Sequence, residues 1–152
     1  MSTLQPYSIQ EADLMIPSHW QDQSLNVFKI PPGDDHQGAS LVISRDSQKG
    51  TQSLDAYVDT QLKQCEAQLT GFELRKRERF THQDRAAGWL EYTWMMENRR
   101  ELLLRQVFYD LGSQALICTL TTTRHDIAHH DAVWRKVMAS LVLADPVEPP
   151  AR

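Results

Sequence analysis

The chain has 152 residues, about the size of one domain, with 41% hydrophobic and 24% charged residues, an ordinary balance for a globular protein. Its 16 Lys and Arg against 20 Asp and Glu give a net charge of −4, the opposite of the excess that nucleic-acid binding calls for. Cys65 and Cys118 stand alone, without a CxxC pair or a Cys/His ladder, which points to two small buried hydrophobes in a reducing compartment. The first twenty residues lack a basic start followed by a signal-length apolar run, and no window reaches the roughly 20 apolar residues of a membrane span. A cytoplasmic protein is expected.

In chain order, Leu14 to Ile16 is a short apolar run closed by Pro17, and Ser24 to Ile30 alternates as a strand does. Pro31, Pro32 and Gly33 with the following DDHQG form a loop, after which Ala39 to Arg45 returns as a second strand of a hairpin. Ser53 is placed to cap a helix whose Leu54, Val58, Leu62, Cys65 and Leu69 recur at helical spacing until Gly71. Four strands follow, Phe72 to Phe80, Ala86 to Met96, Glu101 to Tyr109 and Gln114 to Thr123, joined by short turns into an antiparallel meander. A second helix from about Asp131 to Leu141 carries Val133, Trp134, Val137, Met138 and Leu141 on its apolar face. One domain over residues 1–144 is expected, with a disordered tail over 145–152. The class is α+β: an antiparallel sheet of about six strands with two main helices.

Alternation in Glu101 to Val107 sets Leu102, Leu104 and Gln106 on one face and Leu103, Arg105 and Val107 on the other, so both faces carry aliphatic side chains. Two helices are expected to cover one face of such a sheet and leave the second to something else. In Ala39 to Arg45, Ser40, Val42 and Ser44 share a face opposite Leu41 and Ile43. On the first helix Tyr57, Gln61, Cys65 and Leu69 form a strip beside the core stripe. A mostly aliphatic face dotted with Ser and Gln suits a greasy ligand that also carries small polar groups. From pattern alone, an ordinary sandwich face closed by dimerisation or by a loop, with Ser and Gln solvated at its edge, is the favoured reading.

The densest candidate for chemistry is His125, Asp126, His129, His130 and Asp131, where His125 and His129 at i, i+4 would face one way on a helix and could bind a metal. The segment lacks an HExxH pattern, and its aspartates are natural capping residues, which favours an ordinary helix start. There is no GxSxG, GxGxxG or Walker pattern, and Cys118 lies mid-strand between Ile117 and Thr119 as a core residue would. Arg75 to Arg79 alternates within a strand and reads as a solvated edge. Trp20, Trp89, Trp94 and Trp134 read as packing residues. No constellation argues for an enzyme.

Four stretches resemble a known family. Ile16 to Ile30 with its Trp20-Gln21-Asp22-Gln23-Ser24, Ala39 to Asp46, Leu102 to Phe108 and Thr119 to Thr123 are similar, in this order, to the Eag chaperones of bacterial type VI secretion systems. The match runs from about residue 5 to residue 143. The resemblance implies a Mog1/PsbP-like sandwich, found as a homodimer with a concave surface. It implies binding of the N-terminal transmembrane helices of PAAR-containing, often Rhs-type, effectors before these are loaded on the VgrG spike, with no cofactor and no metal. The family's client-contacting positions fall on Leu25, Val27, Ser40, Val42, Ser44, Gln61, Cys65, Leu69, Leu102 and Gln106. Cys65 is a departure, because a smaller, alanine-like residue is typical there. A small-molecule or lipid-binding domain of the same fold is the alternative.

Overall fold

The computed structural model describes residues 3–144. The elements in order are β1 (Leu4–Ser8), β2 (Asp13–Pro17), β3 (Asn26–Ile30), β4 (Ala39–Asp46), α1 (Leu54–Gln68), β5 (Glu73–His82), β6 (Arg85–Met95), β7 (Glu101–Asp110), β8 (Ala115–Thr122) and α2 (Ile127–Ser140). β3 to β8 form one six-stranded sheet in the order β3-β4-β8-β7-β6-β5, with every neighbouring pair antiparallel. The class is α+β, as the sequence pattern implies. The expected disordered tail over 145–152 lies outside the described residues.

The β5–β8 meander follows from turn chemistry. Gln83 and Asp84 both take positive φ, 52° and 63°, between the paired residues His82 and Arg85, which is the backbone of a two-residue hairpin turn matched to strand twist. Because β8 returns beside β4, the early β3–β4 hairpin joins the meander through its last strand, and β3 and β5 become the two edges.

The two helices lie on opposite faces of the sheet, which corrects the expectation that both would share one. Leu54, Tyr57 and Val58 of α1 pack on Leu90, Tyr92, Phe108 and Ala115. Trp134 and Met138 of α2 pack on Leu41, Ala87, Val107, Tyr109, Cys118 and Leu120 from the other side. Strand alternation sends Leu104 and Phe108 one way and Leu103, Val107 and Tyr109 the other, so each apolar face of β7 receives its own helix. Ser53 caps α1 by accepting a hydrogen bond from the Ala56 amide at 3.1 Å. Gly71, just beyond α1, takes φ +65°, a left-handed turn that favours glycine.

Three details depart from the sequence reading. α2 begins at Ile127, four residues before Asp131, because the Asp126 carboxylate accepts from the Thr123 hydroxyl and the Gln37 amide and anchors an earlier first turn. β1 is a strand that the pattern did not reveal, since Pro6 breaks the donor row; a two-stranded hairpin has free edges that tolerate this. Trp20 is 59% exposed on the linker between β2 and β3, so it is not a packing residue, whereas Trp134 is buried and Trp89 and Trp94 are half-buried.

Candidate functional site

On the α1 side of the sheet, strand register lines up residues in transverse rows. Leu90, Gln106, Thr119, Val42 and Val27 make one row from β6 to β3. Tyr92, Leu104, Thr121, Ser40 and Lys29 make the next. Phe108, Ile117 and Ser44 continue the pattern on the other side of the first row. α1 packs over the β6 and β7 ends of these rows and over the start of β8. The β3 and β4 ends stay open, so helix and uncovered sheet together form a broad, shallow face.

Of the ten positions implied by the family resemblance, six lie in or along these rows and three come from the α1 strip, while Leu25 stands just ahead of β3. Val27, Ser40, Val42, Ser44, Leu102 and Gln106 belong to the rows or extend them along β7. Leu25 lies two residues ahead of Val27, just before β3 begins, and the two are 57% and 63% exposed. Gln61 and Cys65 come from α1 at a spacing of four, and Leu69 continues that strip as the helix's C-cap. Cys65, Leu69, Leu104 and Ile117 are half-buried and pack against the core cluster beneath α1. Ile117, Thr119 and Thr121 line the same floor, although the family resemblance does not single them out. Alternation within Gln114 to Thr123 groups them, but only the β4–β8 and β7–β8 registers place them between Val42 and Gln106.

Apart from Lys29 on the edge strand β3, the polar side chains of the open rows are uncharged. Gln106 Nε2 donates to Thr119 Oγ1 at 3.2 Å, which orients the amide and leaves its carbonyl oxygen able to accept. Burial pushes the Cys65 thiol up from its ordinary value, so at neutral pH it is a thiol and not a thiolate nucleophile. Burial, with the Asp46 carboxylate beside it, likewise raises the Tyr57 phenol, whose O–H donates to Asp46 at the end of β4. Charges sit at the rim. Arg77 and Arg79 of the edge strand β5 pair with Asp55, and Arg77 also with Asp59, tying α1 to the sheet on the side away from the open rows. This basic strand is thus an edge, as expected, and also a clamp for α1.

The histidine cluster does not assemble as a helical pair. His125 precedes α2, and the His129 ring lies instead against His36 from the β3–β4 loop. His130 is buried with its Nε2 at 3.2 Å from the Gln37 carbonyl oxygen. Among the described residues, no group of three or more His, Cys, Asp or Glu side chains is arranged to hold a metal ion. No described helix is long and apolar enough to cross a membrane.

Comparison with known proteins gives one family. The DcrB family model matches residues 11–140. The protein named Effector EagT6 of Pseudomonas aeruginosa is 46% identical over 136 residues, covering 90% of this chain and 94% of that protein. The crystal structure of PA94 from Pseudomonas aeruginosa, a protein of unknown function, superposes with a TM-score of 0.83 at 45% identity, covering 93% of this chain and 97% of that one. The solution structure of cyanobacterial PsbP from Synechocystis aligns over 92% of each chain at 13% identity with a TM-score of 0.48, a likeness too loose to bear on function. With most of its length matched at this level, the chain belongs to the DcrB family and stands among its Eag members beside EagT6.

Proposed function

We propose that the protein is an effector-specific chaperone of a type VI secretion system, acting in the cytoplasm as a homodimer without cofactor or turnover. Its client is the N-terminal transmembrane segment of a PAAR- or Rhs-type effector, which it shields until loading on the VgrG spike. It makes no direct contact with nucleic acid and does not itself enter the membrane. The observation that carries this reading is the open α1-side face, where Val27 and Val42 lie among Ser40, Ser44 and Gln106, with the exposed Leu25 just ahead of β3. Membership of the Eag group supports it.

A membrane helix in water exposes roughly 20 apolar residues, and covering such surface is worth about 25 cal/mol per Å². Within a bilayer, helices recognise one another through close packing of small residues and interhelical hydrogen bonds, not by hydrophobicity alone. A face of aliphatic side chains with neutral hydroxyls and one oriented amide reproduces that environment. A charged face would not, because a client helix would bury the charges unpaired.

The test is co-expression with a fusion protein bearing an apolar N-terminal segment of an effector encoded in the same cells, followed by affinity capture. A soluble stoichiometric complex is the expected result. Val42→Asp should weaken retention by about tenfold or more, since the new carboxylate would be buried under the client. Gln106→Ala should weaken it about fivefold, the equivalent of one hydrogen bond, with circular dichroism unchanged. Equal client recovery with wild type and Val42→Asp would refute the reading.

A further inference from the structure

On the sheet floor of the open α1-side face, charge stands only at the two ends. Lys29 of the edge strand β3 lies opposite Ser40, in the open row nearest the β3–β4 loop. It is exposed and forms no ion pair among the described residues. Asp46 follows Ser40, Val42 and Ser44 on the same side of β4 by strand alternation, and it ends the strand. Its carboxylate accepts from the Tyr57 hydroxyl and the Gln48 amide, and no cation pairs with it among the described residues. The neighbouring charges are answered elsewhere. Lys49 Nζ lies 3.2 Å from the Asp110 carboxylate, and Asp34 and Asp35 of the β3–β4 loop line a separate hollow with Arg100 and His125.

The floor between Lys29 and Asp46 has the measure of one helix. From β8 across β4 to β3 the open band is roughly 10 Å wide at the usual strand spacing, close to the diameter of an α-helix. α1 bounds this band on one side and the sheet edge on the other, so a helix covers most of it by lying along β4. Ser40 and Asp46 are about 20 Å apart at the rise of a strand. A membrane-spanning helix of about 20 residues is about 30 Å long, so when centred there it reaches about one turn past each charge. Its aligned peptide dipoles place roughly half a positive charge at the first turn and half a negative charge at the last. Only one direction matches both ends of the floor; in the other, each end of the helix meets its own sign. The Lys29 stem can lie along such a helix and keep its ammonium in water at the sheet edge.

We propose that a client helix lies along β4 with its first turn at Asp46 and its last turn at Lys29, and that Lys29 sets this direction. The proposal rests on the reading of the client as an apolar helix. The test uses the full-length chain co-expressed with the effector-segment fusion of the capture experiment, with one cysteine placed in either the first or the last turn of the fusion's apolar helix. Disulfides to Ser40→Cys or Ser44→Cys in the chaperone are mapped by mass spectrometry after mild oxidation. Position 40 should join the last-turn cysteine about fivefold more than the first-turn one, and position 44 should show the opposite preference. Lys29→Glu, a change at an exposed edge position, should abolish both preferences with circular dichroism retained. A lysine that only discourages edge-to-edge strand pairing would leave the direction unchanged when replaced, so preferences that persist in Lys29→Glu would overturn its role. Equal yields from the two client cysteines, or reversed ones, with the client still captured, would overturn the direction and leave the client reading standing. Failure of the wild-type chain to capture the fusion at all would overturn the client reading, and the direction with it.

Discussion

Arg105 is 6% exposed beneath α2, yet it is fully employed. Its Nε donates to Glu91 at 3.0 Å, its Nη1 to Asp131 at 2.7 Å, and its guanidinium lies 4.8 Å from the Trp89 ring centroid. Removing one member of a buried ion network leaves the others uncompensated, so Arg105 is held in place by the cost of its absence as much as by attraction. The Arg105 hydrogen bond is the main cause that lowers the Asp131 carboxyl pKa, with Arg135 assisting and burial partly opposing. A carboxyl whose folded pKa lies below its unfolded value contributes stability that is complete above the unfolded value, near ~3.9, and is lost as pH falls through the folded one. Asp131→Asn should therefore have a lower urea midpoint than wild type at pH 6, and the gap should close as pH falls toward 3; a constant gap would show that the charge is not the source. In sequence, alternation already places Arg105 with Leu103 and Val107. Its partner Asp131, 26 residues away, is not legible there, because only the packing of α2 brings the two together.

At the scale of elements, α1 is the most legible part of the chain and also the part that borders the candidate site. Ser53 as cap and Leu54, Val58 and Leu62 at helical spacing are local signals that need no tertiary information. Ser53→Ala should destabilise the fold by about 1 kcal/mol through the lost cap, and lower the thermal midpoint by roughly 4 °C in a chain of this size. A scanning calorimeter measures this directly, and an unchanged midpoint would mean that the clamp of Arg77 and Arg79 on Asp55 and Asp59 carries the helix start instead. Signals that compete with the local pattern are harder to read. Pro6 hides β1, and the cluster from His125 to Asp131 hides the first turn of α2, whose anchor is the Asp126 carboxylate gripping the β3–β4 loop at Gln37. That contact spans 89 residues, so no window of sequence contains it.

Across the whole molecule, the order β3-β4-β8-β7-β6-β5 puts β7 and β8 at the centre, packed from both sides, and β3 at an edge beside the open face. Hydrogen exchange should follow this gradient, with amides of β7 opening only near the global unfolding free energy and those of β3 far more easily. Client occupancy should slow exchange in β3 and β4 by about tenfold or more and leave β7 unchanged, which deuterium uptake by mass spectrometry would reveal. Slowing confined to α2 would instead direct the client to the opposite face. The sequence by itself determined the fold class, the strand and helix inventory apart from β1, and the grouping of Ser40 with Val42 and of Leu102 with Gln106, because periods of 2 and 3.6 are local properties of the backbone. Only the tertiary structure decided that the helices take opposite faces, that α1 leaves β3 and β4 open, and that Ile117, Thr119 and Thr121 lie between Val42 and Gln106. Those outcomes depend on which strands become neighbours, and strand pairing joins residues that are tens of positions apart in the chain.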